Sequence, residues 1–139
     1  MEQFNVRLKH QKEKEDGKLK GILESYVFEG VNFSDAETHA NTLIEEFSMR
    51  EAKILSIARV NYDNVFKTGE GLLFEVKVKE EIEGDNGKPQ IIGVKYLILA
   101  GNVSEAETKM NEEYKGTQIS FTVHSVRDPH IMDYIEVKK

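Results

Sequence analysis

The chain opens on an alternation. Phe4, Val6 and Leu8 are apolar, and Asn5, Arg7 and Lys9 between and after them are polar. A period of two predicts a strand with one buried face. The same alternation returns at Phe74, Val76 and Val78, with Glu75, Lys77 and Lys79 on the other face. Each run passes through a charged approach to Asp16-Gly17 or Asn86-Gly87. Those dipeptides tolerate the positive φ of a type I′ turn and predict two hairpins. The returning strands are expected at 22–28 and 91–99. The second is apolar on both faces, as a central strand is, and Pro89 stands at its start, where a missing N–H does little harm.

Helical periodicity follows each hairpin. Ser34-Asp35-Ala36-Glu37 and Ser104-Glu105-Ala106-Glu107 read as capping boxes, in which the Ser oxygen accepts from the N3 amide and the N3 Glu reaches back. Ala36, Ala40, Leu43, Ile44 and Phe47 form one stripe at 3.6 spacing. Ala106, Met110 and Tyr114 form a shorter one that ends at Gly116, a helix stop. Further strands are expected at 53–60 and 118–126, and the short tails 62–66 and 131–137 add or cover a sheet edge.

These parallels are a repeat. A shift of 70 residues lays 4–38 on 74–108 without a gap and gives 13 identical pairs in 35 positions, against roughly two expected by chance. Past the helix the register slips by one, so that Ile54, Ser56, Ile57 and Phe66 face Val123, Ser125, Val126 and Ile135. The expected fold is α+β: tandem duplicated ββαβ units in a pseudo-twofold arrangement, an antiparallel sheet with two helices on one face. The units are 1–66 and 72–139, joined by 67–71. A half this small is marginal alone, so the expectation is one compact domain.

Composition narrows the function. Of 139 residues 39% are hydrophobic and 32% charged, ordinary for a globular chain. The absence of Cys removes disulfides, thiolate metal sites and Cys nucleophiles, and fits a reducing cytoplasm. No apolar run approaches the ~20 residues of a membrane span, and Met1-Glu2-Gln3-Phe4 leads directly into a strand, so neither signal peptide nor membrane association is expected. The net charge of −6 lowers the prior for nucleic acid, although a local basic patch can oppose the mean.

The chain resembles an uncharacterised family of small proteins from Bacteroidota and their phages. The resemblance rests on Phe4-Asn5-Val6-Arg7-Leu8-Lys9, Tyr26-Val27, Ser34-Asp35-Ala36-Glu37, Asn61-Tyr62-Asp63-Asn64-Val65-Phe66 and Ile131-Met132-Asp133-Tyr134. It covers almost the whole chain. One departure is Leu72-Leu73 before Phe74, where the family pattern carries a Trp beside the Phe. The family has no assigned activity; the resemblance implies a phage or mobile-element context and transfers no functional residue.

Candidate chemistry is sparse. His10 and His39 read as solvated, and His124 as a strand residue on a sheet face. His130 with Asp128 and Asp133 is the best metal candidate, but Asp128-Pro129-His130 reads first as a turn, with no second His at ligand spacing. The carboxylates Glu13, Glu15, Asp16, Glu80, Glu81, Glu83 and Asp85 sit beside lysines on hairpin flanks, as solvated charge does. There is no phosphate loop and no G-x-S-x-G elbow. No catalytic residue, metal or cofactor is therefore expected. A ligand surface is expected on Arg7, Lys9, Lys77 and Lys79, with Arg59 and Arg127, and with Tyr26 and Tyr96 either stacking on bases or serving as core residues. The first reading is a non-catalytic phage-type accessory protein in the host cytoplasm that binds a small phosphorylated or nucleotide-like ligand or a host protein, in a counter-defence role. Two alternatives stay open: a single-stranded nucleic-acid-binding accessory protein, and a virion structural or assembly component. Homo-oligomers also stay open.

Overall fold

The structure is a computed structural model and describes residues 1–137. The element order is β1 (Glu2–Glu13), β2 (Leu19–Gly30), α1 (Phe33–Glu46), β3 (Arg50–Val60), β4 (Asn64–Phe66), β5 (Leu72–Glu83), β6 (Pro89–Ala100), α2 (Val103–Glu113), β7 (Ser120–Arg127) and β8 (Ile131–Ile135). The protein is α+β, but it carries two four-stranded sheets rather than the expected single one. Their orders are β3-β1-β2-β8 and β4-β6-β5-β7. Nor are they purely antiparallel: β8 runs parallel to β2 and β4 parallel to β6.

The short tails account for both corrections. The segment after β3 leaves its own sheet and becomes the edge of the other; the segment after β7 does the same in return. The compact units are accordingly Met1–Asn61 together with the segment from His130 on, and Tyr62–Pro129. The joint expected at 67–71 lies inside the second of these.

Alternation selects each core. Phe4, Val6, Leu8, Tyr26 and Phe28 pack with Ala36, Ala40 and Leu43 of α1. Phe74, Val76, Val78 and Ile98 pack with Ala106 and Met110 of α2 and with its C-cap Tyr114. Phe47, expected to complete the α1 stripe, is instead the C-cap and projects outward. Val27, Ile131 and Tyr134 in the first unit, and Leu73, Glu75 and Leu97 in the second, are buried on the faces turned from the helices.

The helix caps lie two residues before the expected serines, and the hairpin turns keep their place but change type. The caps are Asn32 and Asn102, whose Oδ1 atoms accept from the amides of Asp35 and Glu105 at 2.9 and 2.8 Å. Asn at the N-cap satisfies an N3 donor that has no intrahelical partner. In the hairpins only Gly17 and Gly87 have positive φ, +82° and +77°, and Asp16 and Asn86 do not. The turns are therefore not type I′. Gly17 N donates to Lys14 O and Lys14 N to Lys18 O, a three-residue loop closed by a left-handed glycine. Gly84 to Lys88 repeats the pattern.

Candidate functional site

The first unit carries its groove where α1 turns back into β3. Met49 N donates to Ile44 O and Ser48 N to Glu45 O, the paired bonds of a Schellman stop. That stop needs a left-handed residue, usually glycine; here Ser48 takes it at φ +49°. Three residues on, Glu51 is also left-handed, at φ +47°. The β1–β3 register slips there, between Lys9↔Lys53 and Gln11↔Arg50. Such bulges re-aim side chains and lift a strand from its partner. The β5–β7 ladder has no irregularity at that place: Lys79, Glu80 and Glu81 face Thr122, Phe121 and Ser120 in sequence.

A groove of about 460 Å³ results, lined by the β1–β2 hairpin on one side and 47–50 on the other. Its wall is polar and ordered. His10 Nε2 lies 2.6 Å from Glu24 Oε1, with side chains only 12% and 15% exposed. The Tyr26 hydroxyl donates to the same carboxylate oxygen at 3.4 Å. Burial and the Glu24 charge push the Tyr26 phenol up to about 12, so it stays a donor at neutral pH. Lys12 and Arg50 line the rim with Ser48. Phe47, 64% exposed, supplies a bare aromatic surface beside them.

In the second unit, aromatic rings pack where α2 ends against β7. Tyr114 stacks on Phe121 at 4.1 Å between ring centres. Its hydroxyl donates to Glu80 and lies 3.0 Å from the Tyr96 hydroxyl. Burial and these partners hold the Tyr114 phenol far above its ordinary value. A smaller groove of about 290 Å³ is lined, among the described residues, by Glu81 and Glu83 and by no cation.

A second polar cluster sits on the sheet face turned from α2. Glu75, 3% exposed, accepts from Arg127 Nε at 2.5 Å and from the Tyr62 hydroxyl at 3.0 Å. Burial alone would raise this carboxyl; the bonds from Arg127 and Tyr62, with the charges of Arg127 and Lys95, outweigh it and hold the group below its usual range. Lys95 Nζ stands 4.7 Å from the centre of the Tyr62 ring.

The residues singled out in the sequence are dispersed. Arg7 and Lys9 are exposed on the face of the first sheet turned from α1, and Lys77 and Lys79 are exposed on the face of the second sheet turned from α2. Tyr26 and Tyr96 lie on the helix-covered faces, with their hydroxyls bonded inward; of the two roles foreseen for them, they take the core one. Arg59 pairs with Glu2 at 3.3 Å and covers the Phe33 ring at 5.2 Å, while Arg127 is committed to Glu75. His10 is not solvated but walls the groove. His39 contacts Asp35 at 3.3 Å and stacks on Phe28. Among the described residues no group of three or more His, Cys, Asp or Glu is placed to hold a metal, Asp128, His130 and Asp133 included. No helix among them is long and apolar enough to cross a membrane.

The sequence reading missed the groove because its lining comes from separate stretches, and no glycine marks the left-handed Ser48 or Glu51. The only signal was the difference between Ile44 and Ala52 in one half and Tyr114 and Phe121 in the other.

Fold and groove together describe an α+β protein of two four-stranded, helix-covered units. The chain belongs to the family described as Domain of unknown function (DUF4494), which matches residues 2–137. No curated protein and no solved structure matches it.

Proposed function

We propose that the protein is a non-catalytic capture protein whose first unit binds a small phosphorylated or nucleotide-like ligand in the groove between the β1–β2 hairpin and the α1–β3 turn. The groove itself carries this reading. Two cations, Lys12 and Arg50, stand at its rim, an exposed aromatic ring, Phe47, stands beside them, and a fixed polar wall closes its depth. A phosphate suits the first, a planar ring the second, and ring N–H groups the Glu24 carboxylate. Positive-φ backbone at Ser48 and Glu51 strengthens the case, because such conformations concentrate at ligand clamps.

We also read the chain as a tandem duplication of a ββαβ unit with a pseudo-twofold relation between the copies. The hairpin registers Phe4↔Phe28 and Phe74↔Ile98 support this, as do bulges at Arg7/Leu8 and Lys77/Val78. On this reading Ile44 corresponds to Tyr114 and Ala52 to Phe121, and one copy kept an open groove while the other filled it. The resemblance to small proteins of Bacteroidota and their phages supports an accessory, counter-defence role in the host cytoplasm.

Calorimetric titration of the full chain with nucleoside monophosphates, diphosphates and cyclic nucleotides tests the function. The expected result is saturable binding without product, weakened about tenfold or more by Arg50→Glu or Phe47→Ala. Turnover of the ligand, or binding untouched by both substitutions, overturns the reading.

Single-strand binding is the second reading, favoured by the four exposed strand cations Arg7, Lys9, Lys77 and Lys79. It ranks lower because Tyr26 and Tyr96 pack on the helix-covered faces, away from these cations. It requires affinity that falls steeply with salt and is lost in Lys77→Glu/Lys79→Glu.

A further inference from the structure

We propose that β8 is exchangeable between molecules and that the edge of β2 is a docking site for the β8 of a second copy of this chain. β8 makes four paired positions on β2, Ser25↔Ile131 through Phe28↔Ile135, with a register shift after the first. Ile131 and Tyr134 are its buried anchors. The Tyr134 hydroxyl accepts from Gln3 Nε2 at 2.9 Å and donates to Glu29 Oε2 at 2.7 Å. None of these partners depends on the covalent connection back to β7: an identical strand arriving from another molecule satisfies all of them.

The connection itself favours that arrival. Only Asp128, Pro129 and His130 separate β7 from β8. Pro129 fixes its own φ, and His130 is left-handed at φ +58°, a conformation rare for a residue with a Cβ. A short, stiff hinge favours strand exchange, because straightening it releases the backbone strain. The chain already donates tails away from the strands that precede them, twice: β4 to the sheet of β6 and β8 to that of β2. A short linker holds its own strand at an effective concentration on the order of millimolar. Relief of one left-handed residue lowers the concentration at which exchange competes by about five- to a hundredfold, into the tens to hundreds of micromolar.

The test mixes unlabelled and ¹⁵N-labelled full chain in denaturant, refolds at about 1 mM total, dilutes, and reads masses by native mass spectrometry. The expected result is a dimer that persists after dilution and contains both isotopes. His130→Gly, which removes the strain in the closed form alone, is expected to lower the dimer fraction at least fivefold. Ser25→Cys/Ile131→Cys, in a chain otherwise free of cysteine, reports the pairing: oxidation of the dimer then links two chains on a non-reducing gel. Monomer at every concentration overturns the proposal, as does a dimer insensitive to His130→Gly. A dimer whose engineered cysteines close only within one chain overturns it as well. Should the double-cysteine protein fail to fold, the His130→Gly comparison decides alone.

Discussion

Each unit sets one helix against a four-stranded sheet, and the two finish the end of that helix differently. In the first, His10, Glu24 and Tyr26 are lined up behind an open groove. In the second, Tyr114 and Phe121 occupy the space and turn the polar end inward onto Glu80 and Tyr96. A stacked aromatic pair is the ordinary way to close a core at such a place, and buried rings contribute several kcal/mol. Leaving the space open, beside two left-handed non-glycine residues, sacrifices that stability. Proteins commonly accept such local losses where a ligand enters.

The contrast can be broken most sharply by copying one half onto the other. Ile44→Tyr with Ala52→Phe is expected to fill the first groove and reduce ligand affinity at least a hundredfold, about 2.7 kcal/mol. The fold should survive with a loss no larger than about 2 kcal/mol from overpacking; calorimetry and thermal melts read the two effects separately.

A smaller effect tests the second difference, on the faces turned from the helices. In the second sheet Glu75 has Arg127 and Tyr62; in the first, Asn5 on β1 faces Ala58 of β3. Arg127→Ala leaves Glu75 buried with one donor fewer and is expected to cost about 2 kcal/mol in urea unfolding, the figure being kept low because Arg127 is 61% exposed. The sign with pH follows from the lowered Glu75 carboxyl. Its contribution is complete above the carboxylate range of the unfolded chain and is lost as pH falls through the lower folded value. Stability should therefore drop below about pH 4, and Glu75→Gln should flatten that drop.

The smallest effect has the opposite sign. Asn5 Oδ1 is buried without a hydrogen-bond partner among the described residues. Asn5→Val removes an unsatisfied acceptor from a central strand and is expected to stabilise the protein by about 1 kcal/mol, read as a shift of the urea midpoint at constant slope.

Much of this was legible in the sequence, in proportion to how local its causes are. Period two at Phe4, Val6 and Leu8 gave the buried face of β1 directly, and Ala106 and Met110 gave that of α2. The caps were displaced and the turn type changed, because Asn32 and Asn102 outcompete the serines two positions on, and because glycine alone carries the positive φ of each hairpin. The two sheets were hidden: a three-residue parallel strand such as β4 has no period to detect, and its partner β6 is set by tertiary packing. The groove was hidden for the same reason, His10 and Arg50 meeting only through the fold.

The route of the chain also sets an order of events. The second unit is one continuous stretch, Tyr62–Pro129, whereas the first needs residues from both ends. On a ribosome, β1, β2, α1 and β3 emerge early and must wait for β8, which follows every other described strand in the chain. The second unit can complete all four of its strands while the edge of β2 is still bare. Pairing β2 with β8 joins the two strands farthest apart in sequence of any paired strands among the described residues, and loop closure over such a span comes late and slowly. The half of the protein synthesised first is thus the half that finishes folding last, and until then its unpaired β2 edge is the part of the nascent chain most in need of protection.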